Sequence, residues 1–157
     1  MRFIYARDES GLIGRSDGRL PWRRQKGDKQ VYKNAIMNSE LWAGRKTGEV
    51  LKRLGYKKLK IISRNPGLGN SLEYVIKNAK FDDYILGGAE IYKALEEYAT
   101  TVLETVIHND FPRKDGDAVY KFNPEGFTLM NSFYHESSAD DEYPWTLNFW
   151  TKIANKD

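Results

Sequence analysis

Apolar and polar positions alternate with two different periods along this chain, and the change of period organises it. Phe3-Ile4-Tyr5-Ala6 is a compact apolar run that predicts a first strand. Residues 7–21 hold Gly11, Gly14 and Gly18 and end at Pro21, which predicts a long loop. Over 28–38 the spacing becomes helical, with Val31, Ile36 and Met37 expected to face a core. Leu41-Trp42-Ala43 is a short apolar stretch closed by Gly44, and Arg45 to Leu54 reads as a second helix with Val50, Leu51 and Leu54 on one side. Leu59 to Ile62 predicts a strand. Asn70 or Ser71 offers a cap for a helix over Leu72–Ala79. Tyr84-Ile85-Leu86 is a short buried strand, and Ala89 to Tyr98 is helical. The remaining runs, Thr101–Ile107, Val119–Phe122, Phe127–Tyr134 and Trp145–Thr151, read as strands.

Strands alternating with helices pair in parallel through crossovers, and a closing series of strands adds an antiparallel part. The expected fold is therefore α/β. It is one domain over residues 1–157, a central, mostly parallel twisted sheet of about seven or eight strands flanked by about four helices. Ligands of such sheets sit beyond the carboxyl ends of the parallel strands. Three segments point to that end: the loop after Ala6, Gly44 to Thr47, and Gly87 to Glu90. No internal repeat and no linker-like stretch interrupts the pattern.

Composition narrows the function. The 157 residues can bury a real core, and the formal charge of +3 is too small to argue for a nucleic-acid partner. No apolar run approaches the ~20 residues needed to span a bilayer, so no membrane partner is expected. Met1 to Tyr5 is too short and too quickly polar for a secretory signal, so a cytoplasmic monomer is the expectation. The chain has no cysteine, which excludes disulfide and thiol chemistry. His108 and His135 lie far apart, without the spacing of a metal motif, and no metal site is expected.

The chemistry concentrates in a few places. Leu20-Pro21-Trp22 precedes Asp28 by six residues from the tryptophan, which sets an aromatic N–H and a carboxylate where they could read a flat, nitrogen-rich heterocycle. An acid at a helix start is also a common cap or dipole partner. Gly44-Arg45-Lys46-Thr47 places free N–H groups, two cations and a hydroxyl at a strand-to-helix junction suited to an anion; a plain helix start with exposed cations is the alternative. Gly87-Gly88-Ala89-Glu90 repeats the arrangement, and two consecutive glycines allow close backbone approach or an unusual peptide; a tight turn is the alternative. Together the two junctions could hold both phosphates of a dinucleotide. Ser63-Arg64 follows a strand, and Arg64 could pair with a phosphate monoester or lie in a solvated loop.

In order, Ala6, Gly11-Leu12-Ile13-Gly14, Leu20-Pro21-Trp22 with Asp28, Gly44 to Thr47, Ile61-Ile62-Ser63-Arg64, Leu86 to Tyr92, and Gly116-Asp117 resemble the dihydrofolate reductases over nearly the whole length. The resemblance implies an oxidoreductase using NADPH on dihydrofolate, by hydride transfer to pterin C6 and protonation at N5. It implies that Asp28 receives the pterin, that Trp22 orients the site through a water, and that Leu20 belongs to a lid over residues 14–20. It implies that Tyr32 packs on the substrate rings and that Leu51, Leu54 and Leu86 line the pocket. Ala6 and Ile13 would meet the nicotinamide carboxamide, with Gly14 beside them and Tyr92 next to the ring. Gly44, Arg45, Lys46, Thr47, Gly87, Gly88, Ala89, Glu90 and Ile91 would hold the pyrophosphate region, and Ser63 and Arg64 the 2′-phosphate. Lys57, or Lys29, would meet the folate tail.

Several positions depart from the family pattern. Lys57 falls opposite an arginine, Lys29 replaces an apolar residue, and Gly48 stands where a tryptophan is common. Ala118 stands where a threonine is expected to bond the pocket acid, so Asp28 is expected to lack that partner. Two other readings stay open: a pyrimidine reductase of flavin synthesis, or a non-catalytic folate- or nucleotide-binding module on the same fold.

Overall fold

A computed structural model describes residues 1–154; the last three residues of the expected 1–157 domain lie outside the described residues. The main sheet has seven strands: β1 (Arg2–Arg7), β3 (Leu41–Gly44), β4 (Leu59–Ile62), β5 (Tyr84–Ile85), β6 (Thr101–Ile107), β8 (Phe127–His135) and β9 (Trp145–Lys152). Their spatial order is β4-β3-β5-β1-β6-β9-β8. The first five pair in parallel, and β9 and β8 are added antiparallel. Four helices connect and cover them: α1 (Lys26–Ile36), α2 (Arg45–Arg53), α3 (Leu72–Asn78) and α4 (Ala89–Leu95).

Alternation along the central strands sorts side chains onto two faces. Phe3 and Tyr5, Trp42 and Ile85 pack with Val75, Tyr92 and Leu95 on one face. Ile4, Leu41, Ala43, Tyr84, Leu86 and Leu103 pack with Ile36 and Leu51 on the other. A third cluster, Leu12, Trp22, Ile107, Phe111, Trp145 and Leu147, closes the β6–β9 side.

The structure corrects several expectations. The span 7–21 is not all loop: Leu12–Gly14 forms β2, paired antiparallel with β7 (Ala118–Val119) in a separate two-stranded sheet. Asp8 holds that excursion together. Its fully buried carboxylate accepts from Ser10 N at 3.0 Å, Leu12 N at 2.8 Å and Phe111 N at 3.0 Å. The strand expected over Val119–Phe122 shrinks to Ala118–Val119, because Tyr120 and Phe122 turn into the first core cluster. Met37 and Leu54 are 67% and 70% exposed, not core-facing. Each is the residue that closes its helix. At α2, Tyr56 N bonds Leu51 O at 3.1 Å and Gly55 N bonds Lys52 O at 3.0 Å, with Gly55 at φ +95°, so the chain turns away and Leu54 faces out.

Helix α1 begins at Lys26, and a distant segment fixes its start. Gln25 has no cap of its own; its fully buried amide accepts from Tyr143 N at 2.7 Å and donates to Tyr143 O at 3.1 Å. Around this pair, Lys26 N bonds Asp140 O at 3.1 Å and Glu142 N bonds Arg24 O at 2.7 Å. The connection between β8 and β9 therefore sets where α1 starts, and with it the direction of Asp28. Gln25→Ala should cost ~2–4 kcal/mol of stability in urea unfolding, through two lost bonds and a buried gap. A change within experimental scatter would show that this pairing does not anchor the helix.

Candidate active site

Strands β5 and β1 are neighbours whose onward connections run to opposite sides of the sheet, which opens a crevice at their carboxyl ends. A cleft there is lined by Ile4, Tyr5, Ala6, Asp28, Val31, Tyr32, Thr105 and Leu147. Asp28, third residue of α1, is 7% exposed within it. Thr105, on β6 opposite Ala6, lines the same cleft, and its side chain favours the Asp28 carboxylate. A threonine therefore does stand beside the acid, at residue 105 and not at Ala118. Two buried polar residues, Glu104 and Thr105, inside an otherwise apolar strand were the available signal for it.

Burial pushes the Asp28 carboxyl up from 3.8 to about 6. The Thr105 side chain and the Lys29 charge act against that rise, and the neighbouring Asp141 carboxylate adds to it. Lys29 itself is exposed. Tyr32 is half-buried against the α1–α2 core, and burial raises its hydroxyl pKa. Leu51 and Leu86 are buried in the same cluster, while Leu54 lies outside it on the surface. Trp22 is 3% exposed, packs on Phe111 at 5.9 Å between centroids, and leaves its indole N–H without a partner. It shares its cluster with Ala6 and Val31 of the cleft wall. That orphaned donor, in the cluster behind the cleft wall, is a place for a water or a ligand atom.

The two glycine-led junctions and Ser63-Arg64 gather at the same sheet end. Gly44 of β3 stands opposite Ile62 of β4, so Arg45, Lys46 and Thr47 begin beside Ser63 and Arg64. Gly44 N bonds Gly87 O at 2.8 Å, which brings the two glycine-led junctions together. The Gly87–Gly88 peptide is cis, and Gly87 takes φ +113°, a conformation that disfavours any side chain. A Cβ on Gly44 would come within 3.3 Å of Ile91 Cγ1, and one on Gly88 within 3.7 Å of Thr47 Oγ1. Neither α2 nor α4 has a side-chain cap, so the first N–H groups of both remain available to an anion. Tyr92 is wholly buried, its hydroxyl donating to Ile4 O at 2.7 Å beneath the crevice. Ala89 and Ile91 are half-buried, and Glu90 is exposed.

Residues 14–20 run beside α2, where a Cβ on Gly18 would lie 3.1 Å from Val50 Cγ2. Arg15 pairs with Asp117 at 2.8 Å, Lys46 Nζ reaches Ser16 O at 3.5 Å, and Leu20 is 41% exposed. Ile13 is half-buried against the first core cluster. Arg64 and Lys57 are exposed. Gly48 is buried against β4: a Cβ there would meet Ile61 Cδ1, so no tryptophan fits. The histidines are engaged elsewhere. His108 Nε2 shares a 2.7 Å bond with Thr146 Oγ1, and His135 stacks on Trp145. Among the described residues no group of three His, Cys, Asp or Glu is placed to hold a metal. No helix of the described residues is long and apolar enough to cross a membrane.

The sheet order and crevice define a class: small α/β domains with an acid-bearing cleft at the switch point and two glycine-led helix starts beside it. Within that class, the family model for dihydrofolate reductase matches residues 1–152. Dihydrofolate reductase type 6 of Proteus mirabilis is 30% identical over 155 residues, covering 92% of this chain and 93% of its own. The dihydrofolate reductase of Lactococcus lactis is 29% identical, covering 96% of each chain. In fold, the chain is similar to the Enterococcus faecalis dihydrofolate reductase solved with NADP(H) and RAB-propyl, with a TM-score of 0.82 at 20% identity, covering 98% and 96% of the two chains. The chain belongs to the dihydrofolate reductase family.

Asp28→Asn should reveal the cost of keeping this carboxylate buried. The folded state holds the Asp28 proton more tightly than the unfolded chain does. The stabilisation this brings is complete below 3.8 and lost as pH rises to about 6. At pH 7 the asparagine variant should therefore be more stable than the parent by up to ~3 kcal/mol, with the gain vanishing near pH 4. Thermal unfolding across that range measures it; a pH-independent difference would mean that Asp28 is not titrating in a buried site.

Proposed function

We propose that this protein reduces 7,8-dihydrofolate to 5,6,7,8-tetrahydrofolate with NADPH. One observation carries the reading: a single carboxylate, buried beside Thr105, faces the crevice near which the two glycine-led helices start. Both relatives named above are dihydrofolate reductases, and the Enterococcus faecalis structure contains NADP(H).

The residues present fit both ligands. The free N–H groups after Gly44 and Gly88, with Arg45, Lys46 and Thr47, would hold the pyrophosphate. Ser63 and Arg64, beside them on β4, would hold a 2′-phosphate. The backbone of Ala6 and Ile13 would meet the nicotinamide carboxamide, with Gly14 to Leu20 covering it and Tyr92 flooring it. NADPH, when bound, supplies a hydride from nicotinamide C4 to pterin C6, and a proton from solvent joins N5, so the reaction consumes one proton.

Asp28 orients the pterin by accepting from its ring N–H and amino group. Its negative charge, poorly screened in the cleft, favours a proton on the pterin. Trp22 directs its unpaired N–H to a water that bridges to the substrate. Tyr32, Leu51 and Leu86 exclude water around the rings. Lys29 and Lys57, exposed at the rim, would meet the anionic tail as point charges without the fork an arginine offers.

Purified protein given NADPH and dihydrofolate should consume the nicotinamide absorbance band; binding of both without turnover would favour a non-catalytic module. The kcat should fall as pH rises above about 6, where the Asp28–pterin pair loses its proton. Asp28→Asn should lower kcat on the order of 100-fold at neutral pH while leaving NADPH affinity nearly unchanged. Equal turnover in parent and variant would overturn the assignment of the pocket acid.

Arg64→Ala tests the cofactor side separately. NADPH binding should weaken by ~1–3 kcal/mol, the scale of a hydrogen bond to a charged group, while NADH binding stays the same. Equal loss for both would remove Arg64 from the 2′-phosphate.

A further inference from the structure

A second buried carboxylate lies one residue from the pocket acid along the backbone it touches. Asp141, in the connection between β8 and β9, is 7% exposed. Its Oδ1 accepts from Gly27 N at 2.9 Å, and its Oδ2 accepts from Trp145 Nε1 at 3.2 Å. Gly27 is the second residue of α1 and Asp28 the third. The contact is close: a Cβ on Gly27 would lie 2.6 Å from Asp141 Oδ2 and 3.0 Å from Trp145 Cζ2. Asp141 thus serves as the missing side-chain cap of α1, supplied from more than a hundred residues away.

We propose that Asp141 is a positioning residue for the reaction: it touches neither ligand, but it fixes the first turn of α1 and holds a second carboxylate behind Asp28. The inference rests on Asp28 being the pterin acid. A cap alone would be satisfied by any acceptor at this place. The charge adds something a neutral acceptor does not, because it opposes ionisation of Asp28 and adds to the rise that burial causes. The other groups facing Asp28 are Lys29 on its own helix, whose charge acts the opposite way, the Tyr32 hydroxyl, and the Thr105 hydroxyl from β6. Around Asp141 stand Asp140, which pairs loosely with Lys26 at 3.9 Å, and Trp145, whose far face carries the His135 ring at 3.8 Å.

The test is Asp141→Asn, which keeps an oxygen for Gly27 N–H and removes the charge. Asp141→Ser, also neutral and smaller, is the second variant. Carboxyl carbon resonances of ¹³C-labelled aspartate follow Asp28 in the ligand-free protein, assigned by their loss in Asp28→Asn. In both neutral variants the Asp28 midpoint should fall measurably below about 6, with the larger rise caused by burial remaining. The pH at which kcat declines should fall with it, with a loss at pH 7 of about tenfold for each pH unit moved. Asp141→Glu should restore much of the parental profile. An unchanged Asp28 midpoint in a folded neutral variant would overturn the proposal and leave Asp141 as a cap only. Failure of both neutral variants to fold would overturn it too, since Asp141 would then serve the fold as a whole. A shifted midpoint in a protein that never turns over dihydrofolate would support the electrostatic coupling and sink the reductase reading instead.

Discussion

Keeping one carboxylate out of water without a cation bonded to it is the constraint on which the rest of this structure depends. Asp28 is buried at the start of a helix, and among the described residues no salt bridge reaches it. Its compensation is weak: the Thr105 side chain and Lys29 out in solvent. An acid held this way sits at the edge of ionisation instead of far below it. That edge is useful to a reaction that consumes a proton, and it is costly to a fold. The structure offsets the cost with geometry. Gln25 and the 138–143 segment fasten the start of α1 by backbone pairing, so the acid has no outward conformation to relax into.

The sheet order sets that local arrangement opposite the two glycine-led helix starts. Parallel strands end together, and β4, β3, β5 and β1 end in a row. Two of those ends pass directly into helices through glycine, and they touch through the Gly44–Gly87 hydrogen bond. Anion-seeking N–H groups therefore lie on one side of the crevice and the acid on the other, with Tyr92 buried between them.

Much of this was legible in the residues alone. The parallel half of the sheet follows from apolar runs of four or five separated by helical spacing. The glycine junctions and Asp28 stand where their motifs fall. What periodicity does not show is where a helix stops. Met37 and Leu54 continue the apolar spacing, yet both close their helices and point outward; for Leu54 the signal was present in Gly55, whose positive φ ends α2. Thr105 was passed over because its partner is set by tertiary contact: its neighbours in sequence describe only a buried strand. The β2–β7 pair escaped notice for the same reason, since each strand is two or three residues long and finds its partner about a hundred residues away. Gln25 and Asp141 read as ordinary polar residues until the fold brings them to one helix start.

The position of Thr105 has its own guarantee on the opposite face of the sheet. In the β1–β6 register Tyr5 faces Glu104 and Ala6 faces Thr105. The buried Glu104 carboxylate accepts from Tyr5 Oη at 2.5 Å and from Arg7 Nε at 3.0 Å, and Arg7 donates on to Asp8 O at 2.9 Å. A buried ion pair of this kind adds little net stability against well-packed apolar residues, because desolvation offsets most of the attraction. Its effect on register is larger. Slipping β6 by one residue would turn Glu104 into the cleft beside Asp28, adding a second unpaired anion there, and would leave Arg7 buried without its partner. Both consequences are among the most expensive single changes a core can suffer. The polar pair on the far face therefore excludes the neighbouring register, and the one that remains puts a hydroxyl, not a charge, against the pocket acid.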